Sequence, residues 1–174
     1  MMTKLFAGIA VIALAGCSVL PTSMQETKKA TAQIEPTAGN TARGTIVFTQ
    51  EADKVLVDAT LVGLTPGQHA FHIHEKGDCS APDATSAGGH FNPDSKPHGD
   101  PFGTAHHAGD MPMLNVDAAG KAKLYFEMKA ATLQPGDNSI VGKAVVIHQK
   151  ADDFSAQPAG NAGARVGCGV IVAN

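Results

Sequence analysis

Apolar and polar residues alternate along most of the chain from residue 43 onward, which is the pattern of half-buried β-strands. The alternating runs are GTIVFTQ (44–50), KVLVDATLVGL (54–64), QHAFHIHE (68–75), MLNV (113–116), KAKLYFEM (121–128), SIVGKAVVIHQ (139–149) and ARVGCGVIVA (164–173). Turn-like pieces such as QEAD and LTPGQ separate the first runs, and Asp117–Gly120 forms a hairpin turn. The pattern predicts an all-β domain of antiparallel strands, in a closed or two-layered arrangement.

The region between residues 76 and 112 breaks this alternation. It is rich in Gly, Pro, Asp and His and has little periodicity. A long structureless segment inside a compact domain is uncommon, and such loops often carry function. The chemistry of the protein is therefore expected in this loop.

The first 42 residues have a different character. MMTK followed by LFAGIAVIALA is a basic start and an apolar run of about ten residues, the size of a signal-peptide core and too short to span a bilayer. The run ends in Leu14-Ala15-Gly16-Cys17, which resembles the lipobox of bacterial lipoproteins, where the cysteine becomes the lipid-modified N-terminus. The alternative is an ordinary cleaved signal with an incidental cysteine. We predict a signal peptide over 1–16.

Residues 17–42 are predicted to be the lipid anchor and a flexible tether, because residues 18–42 are rich in Thr, Ala, Pro and Ser and have no sustained period. The alternative is an extra edge strand or helix around KKATAQI. The globular domain is predicted to span residues 43–174.

Composition narrows the protein class. A hydrophobic fraction of 43% excludes a wholly disordered chain, and a net charge of −3 argues against nucleic-acid binding. Nineteen glycines and ten prolines favour an all-β protein. If Cys17 carries lipid, Cys79 and Cys168 remain as a candidate disulfide in an oxidising compartment, the alternative being two buried free thiols.

Four histidines fall on predicted strands, and three of them, His72, His74 and His148, lie on faces opposite apolar residues. His72 and His74 are two residues apart and share one face, whereas His69 shares the opposite face with Phe71 and Ile73. His148 follows Val-Val-Ile on a distant strand and again lies opposite apolar residues. Imidazole ligates Cu, Zn, Fe and Ni, so the trio predicts a metal site without naming the metal.

The long loop adds further candidate ligands: His90, His98, His106, His107 and Asp110. Histidine and aspartate are normal zinc ligands, and structural zinc takes four. Spacing alone does not choose between His106 and His107, because two adjacent side chains do not easily face one ion. A generic histidine-rich, metal-scavenging loop is the alternative.

Several motifs together resemble one known family, the copper,zinc superoxide dismutases. The motifs are AFHIHE (70–75), SAGGHFNP (86–93), HAGD (107–110), HQKADD (148–153) and GNAGARVGCGVI (160–171). The resemblance covers roughly Arg43 to Asn174, and the exported start is similar to bacterial envelope members. It implies a Greek-key β-sandwich or flattened eight-stranded barrel with long metal-binding loops, an architecture for which this family is itself a standard example.

The resemblance also implies residue roles. It assigns copper to His72, His74, His90 and His148, and zinc to His90, His98, His107 and Asp110. Asp152 matches a carboxylate that links a copper histidine to a zinc histidine and orients both. Arg165 matches the arginine that attracts the anionic substrate, and Cys79 and Cys168 match the family disulfide. His69 is interpreted as a hydrogen-bonding core residue, and His106 matches no ligand.

The implied activity is dismutation of superoxide to oxygen and hydrogen peroxide. Copper would cycle between Cu(II) and Cu(I), one nitrogen of His90 would take up a proton on reduction and later supply it, and zinc would be structural. Two other classes compete: a copper-storage or copper-delivery module without turnover, and a non-metallated adhesion-like sandwich. The start of the chain predicts lipid anchoring in a bacterial envelope, facing the periplasm or the exterior. Monomer and homodimer are both compatible with the resemblance.

Overall fold

The computed structural model describes residues 28–174 and is built almost entirely of β-strands. The strands are β1 (Lys29–Pro36), β2 (Arg43–Glu51), β3 (Lys54–Val62), β4 (Gly67–His69), β5 (Phe71–His74), β6 (Leu114–Val116), β7 (Lys121–Met128), β8 (Ala144–His148) and β9 (Arg165–Ala173). A short 3₁₀ turn covers Thr85–Ala87. Within these residues, no helix has the length and apolar character needed to cross a membrane. The predicted all-β class is confirmed.

The strands form one curled antiparallel sheet and a two-stranded ladder. The sheet has the order β5-β8-β9-β1-β2-β3-β7, and β4 pairs with β6. Strands distant in sequence are neighbours, which requires the crossovers of a Greek-key arrangement. Ala70 alone separates β4 from β5, so the two count as one extended run that changes partners. With that run counted once, the sheet and the ladder together contain eight strands within residues 28–174, the number in the predicted barrel.

Strand β1 corrects the predicted tether. Residues 29–36 are not a flexible linker, and β1 is not an edge strand: it lies between β2 and β9. Ala30, Ala32 and Ile34 are fully buried. The prediction of a tether extending to residue 42 is therefore wrong for these residues. The signal peptide at 1–16, the anchor at Cys17 and the rest of the tether, up to residue 27, lie outside the described residues.

Alternation builds the core. Inward-facing residues of β1, β2, β3 and β7 are buried, while their neighbours in sequence face outward. The core is filled by large side chains that include Phe48, Leu61, Phe71, Ile73, Met111, Leu114, Ile140 and Ile147. Burial of apolar area on this scale is the main favourable term in folding. The packed core gives the loops a rigid support.

The sheet brings the histidine strands together. In the β5–β8 ladder Phe71 pairs with Ile147 and His74 with Ala144, and in the β8–β9 ladder His148 lies opposite Arg165. The long loop is fastened to β5 by backbone hydrogen bonds, from Ile73 N to Gly109 O at 2.9 Å and from Phe91 N to Ile73 O at 2.8 Å. A side chain at Gly109 would collide with Ile73 O. Residues far apart in sequence thus meet at one end of β5.

Candidate metal centre

Four histidines meet at the end of β5 and β8, and we call them the four-histidine group: His72, His74, His90 and His148. One ring nitrogen from each lies within 4.8 Å of the other three. His72 and His74 come from β5, His148 ends β8, and His90 comes from the long loop. His74 Nε2 and His148 Nε2 are 3.4 Å apart. These are the four residues for which the resemblance implies copper.

The remote nitrogen of three of these rings faces an oxygen. His72 Nε2 lies 2.7 Å from Asp152 Oδ2, His74 Nδ1 lies 2.9 Å from Gly88 O, and His148 Nδ1 lies 3.5 Å from Gly163 O. A carbonyl or carboxylate oxygen accepts, so each remote nitrogen is the donor in these contacts. The opposite nitrogen then keeps its lone pair, as a metal ligand must.

Two ligand-type atoms have no partner. In the described part of the chain, His72 Nδ1 and His90 Nε2 are buried side-chain nitrogens without a hydrogen-bond partner. A buried polar atom left unpaired costs free energy, so its presence calls for an explanation. Both atoms belong to the four-histidine group. A transition metal bound there would satisfy them, and imidazole nitrogen suits copper.

A second group contains His90, His98, His107 and Asp110, and we call it the mixed group. Asp110 Oδ1 lies 3.0 Å from His90 Nδ1, 3.0 Å from His98 Nδ1 and 3.4 Å from His107 Nδ1. His90 Nδ1 and His107 Nδ1 are 3.2 Å apart. Four ligands at zinc distances of about 2.0–2.1 Å form a tetrahedron with edges of roughly 3.3 Å. The four distances given are close to the edge length of that tetrahedron.

The structure separates the two adjacent histidines that spacing left undecided. His107 Nδ1 faces Asp110 and His90, whereas His106 Nδ1–H donates to the His107 carbonyl at 2.7 Å. His72 also has a ring nitrogen within 4.8 Å of ligand-type atoms of His90, His98 and Asp110. Its Nε2, however, is engaged with Asp152. The mixed group is therefore the predicted zinc set, with His107 and without His106.

Asp152 joins the two groups. Its Oδ2 accepts from His72 Nε2 at 2.7 Å, and its Oδ1 lies 3.0 Å from His98 Nε2. All three side chains are fully buried. A carboxylate that contacts one histidine of each group fixes both ring orientations at once. The link predicted from the sequence is present in the geometry.

Burial and charge set the protonation of these groups. Burial lowers the pKa of His74 to about 2, that of His148 to about 3 and that of His90 to about 4. Neutral imidazole is the form that binds metals. Burial opposes the charged form of Asp110 too, but hydrogen bonds from His107, His90 and His98 hold the pKa of this carboxyl well below its usual range. The mixed group thus contains a permanent negative charge.

An open cavity leads from solvent to the four-histidine group, and we call it the mouth. It is lined by side chains that include His74, His90, His148, Lys150, Gln157 and Arg165. Arg165 Nη1 and Nη2 donate to the carbonyls of Ala84 and Gly88, each at 2.7 Å. Gly88 O also accepts from His74 Nδ1. One carbonyl therefore ties the guanidinium to a ligand histidine.

The disulfide predicted from the sequence is confirmed. Cys79 and Cys168 are bonded, with their Cα atoms 5.8 Å apart. The bond fastens the start of the long loop to β9, three residues beyond Arg165. It holds the loop that supplies the Ala84 and Gly88 carbonyls against the strand that supplies the arginine.

His69 is a core residue, as interpreted from the sequence. It is 3% exposed, and its Nδ1–H donates to the His148 carbonyl at 2.8 Å. Its Nε2 lies 2.8 Å from Thr65 O. The ring therefore supports the backbone of a ligand histidine from behind and does not face the metal groups.

Two residues that contact the centre carry no signal in the sequence. Gln157 hydrogen-bonds to the backbone of His98 at both its N–H and its carbonyl. Gly160 packs so closely on Asp152 and His98 that a side chain there would overlap both. Each contact spans more than 50 residues or depends on a turn, so neither follows from local pattern. Only the position of the 153–164 segment, between Asp152 and Arg165, could have drawn attention to them.

Comparison with known proteins points to one family. The sequence model of "Copper/zinc superoxide dismutase (SODC)" matches residues 42–171. The chain is 40% identical over 164 residues to "Superoxide dismutase [Cu-Zn] 2" of Aquifex aeolicus, covering 91% of this chain and 95% of that protein. It is 44% identical over 116 residues to "Superoxide dismutase-like protein YojM" of Bacillus subtilis, covering 64% of this chain and 59% of that protein.

A solved structure has a similar fold. The crystal structure of the clock protein EA4 matches with a TM-score of 0.76 and 39% sequence identity, covering 88% of this chain and 99% of that one. The family model covers most of the domain, including every residue of both metal-type groups. The chain belongs to the copper/zinc superoxide dismutase family.

Proposed function

We propose that the protein converts two superoxide anions and two protons into dioxygen and hydrogen peroxide, with copper in the four-histidine group and zinc in the mixed group. One observation carries the proposal. His90 belongs to both groups: its Nδ1 lies 3.0 Å from Asp110 Oδ1, and its buried Nε2 has no partner in the described part of the chain. A storage site needs no residue shared between two different ligand sets.

The metals and the chain have separate tasks. When bound, copper supplies one-electron redox chemistry, while zinc supplies fixed positive charge and no redox chemistry. The chain keeps the ligand atoms in place. The remote nitrogens of His72 and His74 are held by Asp152 and Gly88, so the rings cannot turn between turnovers. A fixed ligand set lowers the reorganisation needed for each electron transfer.

His90 is the proton-handling residue of the proposal. Its Nδ1 stays within the mixed group, so the ring is held from one side. Its Nε2 belongs to the four-histidine group, and the residue also lines the mouth. A proton held at Nε2 would therefore lie next to an incoming anion. Hydrogen peroxide needs two protons, and this atom is positioned to deliver one of them.

Arg165 and Lys150 supply the positive charge at the mouth. The protein as a whole carries −3, so an anion is repelled at long range and needs a local attraction. Focusing of charge in a cleft raises association rates by about 10–10³-fold, and this enzyme family is itself among the systems behind that range. The guanidinium is held by the carbonyls of Ala84 and Gly88. It is thereby preorganised for an anion.

The test is a superoxide-consumption assay with metal analysis on the purified full-length protein. Arg165→Ala should lower the rate at limiting superoxide by about 10-fold or more, and the remaining rate should depend less on salt. Arg165→Lys keeps the charge and should keep most of the salt dependence. Arg43→Ala removes the same charge from an exposed position on β2 and is the matched control. Copper and zinc contents should stay near those of the parent.

Two results would contradict the guiding role. A fully metallated Arg165→Ala protein with the parental rate and salt dependence would remove the arginine from the mechanism. Equal losses of metal and rate in Arg165→Ala and Arg165→Lys would mean that the guanidinium only braces the Ala84 and Gly88 carbonyls.

Copper storage or delivery without turnover is the competing proposal. It is motivated by relatives whose names include "superoxide dismutase-like" and "clock protein". Such a module needs metal-binding residues but no cationic mouth. One copper and one zinc bound per chain, without superoxide consumption, would favour it over the enzyme.

We further propose that the protein is a lipid-anchored component of a bacterial cell envelope, facing the periplasm or the exterior. The lipobox-like sequence ending at Cys17 and the Cys79–Cys168 disulfide support this, because disulfides persist in oxidising compartments. Cys17→Ser should move the protein out of the membrane fraction while its metal content and unfolding temperature stay parental. Unchanged membrane fractionation of Cys17→Ser would contradict the anchor.

A further inference from the structure

The side chain of Gln157 is clamped to the backbone of His98. The His98 N–H donates to Gln157 Oε1 at 2.9 Å, and Gln157 Nε2 donates to the His98 carbonyl at 2.8 Å. The two residues are 59 positions apart. Donor and acceptor are exchanged in the same way as between residues of a hydrogen-bonded pair in an antiparallel sheet. The side-chain amide of Gln157 therefore takes the place of the backbone partner that a neighbouring strand would give His98.

His98 is the residue of the mixed group for which such a clamp matters. Its Nδ1 lies 3.0 Å from Asp110 Oδ1, and its Nε2 lies 3.0 Å from Asp152 Oδ1. It sits in chain that is neither helix nor strand, so no sheet ladder holds its backbone. A displaced backbone would carry the ring away from both carboxylates. The two hydrogen bonds from Gln157 oppose that displacement.

Gln157 itself belongs to the wall of the mouth. Gln157 lies in the 153–164 segment, which leads from Asp152 to Arg165, and it lines the mouth together with Arg165. The segment is closed on itself by hydrogen bonds from Asp153 N to Gly160 O and from Gly160 N to Ala156 O, both at 2.9 Å. Gln157 is thus a direct contact between the mouth wall and the mixed group.

We propose that Gln157 is a positioning residue that holds His98 in the mixed group and so slows the loss of zinc. The proposal rests on the proposed zinc loading of that group and adds a residue to it. Gln157 belongs to neither ligand group, and it acts through the backbone of His98. Its effect should therefore fall on zinc and not on copper, whose four-histidine group does not contain His98.

The experiment compares Gln157→Met and Gln157→Ala with the parent, using full-length protein loaded with copper and zinc. Methionine keeps the length of the side chain but removes both hydrogen bonds. Zinc release into a chromogenic chelator should be about 5- to 10-fold faster in both variants, as expected for the loss of two partly exposed hydrogen bonds. Copper release should not change. Gln149→Ala is the matched control, since Gln149 is exposed and its side chain makes no hydrogen bond among the described residues.

A second measurement separates positioning from general destabilisation. Hydrogen exchange of the His98 amide should accelerate in both Gln157 variants, while amides of β2 and β3 keep parental protection. Parental zinc release in Gln157→Met, with faster release only in Gln157→Ala, would assign the effect to packing and overturn the proposal. Equal acceleration of zinc and copper release would overturn it as well.

Failure here is distinguishable from failure of the proposed activity. A protein that binds zinc but consumes no superoxide would contradict dismutation, and the zinc-release comparison would still decide the role of Gln157. A parent that binds no zinc at all would overturn the positioning role, whatever its activity. A parent that consumes superoxide while releasing zinc at the same rate as Gln157→Met would refute only the role of Gln157.

Discussion

Replacing Gly160 with alanine should damage the link between the two metal-type groups from a position that touches no metal. A Cβ at Gly160 would overlap Asp152 Oδ1 and lie 2.7 Å from His98 Nε2. The carboxylate would have to move by roughly 1 Å or more to reach an ordinary contact distance. Its 3.0 Å contact with His98 Nε2 would then be lost.

The magnitude follows from two contributions. Losing a buried hydrogen bond to a charged group costs about 1.5–3 kcal/mol. Gly160 also has φ of +72°, a left-handed conformation that costs alanine about 1–2 kcal/mol. Together the two contributions amount to about 2.5–5 kcal/mol. In a domain of this size, that lowers the unfolding temperature by roughly 10 °C.

Gly142→Ala is the matched control. Gly142 has φ of +79°, but a Cβ there would meet nothing within 4 Å. This variant isolates the backbone contribution and should lose only about 1–2 kcal/mol. The difference between the two variants therefore measures the collision with Asp152 and His98.

The assay is thermal unfolding of the metal-free, disulfide-intact protein, followed by circular dichroism. Metal is removed because binding to the folded state would mask the difference. A parallel zinc titration should show affinity weakened by about 10–100-fold in Gly160→Ala and unchanged in Gly142→Ala. Equal unfolding temperatures and equal zinc affinities for the two variants would refute the reasoning.

Two further predictions concern the mixed group and the buried histidines. Asp110→Ala should weaken zinc binding by about 10-fold or more while copper still binds. Asp58→Ala, at an exposed position on β3, is the control. Zinc affinity equal to that of the parent in Asp110→Ala would remove Asp110 from the ligand set. Because burial lowers the pKa values of His74, His90 and His148, the metal-free folded state keeps these rings neutral, whereas the unfolded chain protonates them below about pH 6.5. The free energy of unfolding of the metal-free protein should therefore fall by several kcal/mol from pH 7 to pH 5. The pKa of His98, raised to about 9, offsets this fall only in part. Urea unfolding at each pH measures the change, and a constant free energy of unfolding would contradict the prediction.

Much of the fold and of the centre could be predicted because it follows from the local alternation of apolar and polar residues. Alternation placed His72 and His74 on one face of a strand, and it located the strands from residue 43 onward. Strand β1 was missed for a physical reason. Two of its three core residues are Ala30 and Ala32, whose small side chains give little hydrophobic signal. They become core positions only because β2 and β9 flank them.

Other features of the centre depend on contacts that no local pattern encodes. The choice between His106 and His107 required the loop to be folded against β5, which turns one ring inward and sends the other toward a carbonyl. Nothing in the sequence distinguishes Gln157 from an ordinary surface glutamine. Its hydrogen-bond partner, the backbone of His98, comes close only in the folded chain. Gly160 is one of nineteen glycines, and only its distance from Asp152 distinguishes it.

The pairing of β1 with β9 has a consequence for how the chain is made. Ala30 pairs with Ala173, so β1, the first strand within residues 28–174, has no partner on this side until β9 has been synthesised. A chain emerging from a ribosome with its N-terminus first cannot complete this sheet until β9 has emerged as well. Contacts of such large sequence separation also slow folding. Loss of β9 would therefore expose unpaired edges on both β1 and β8.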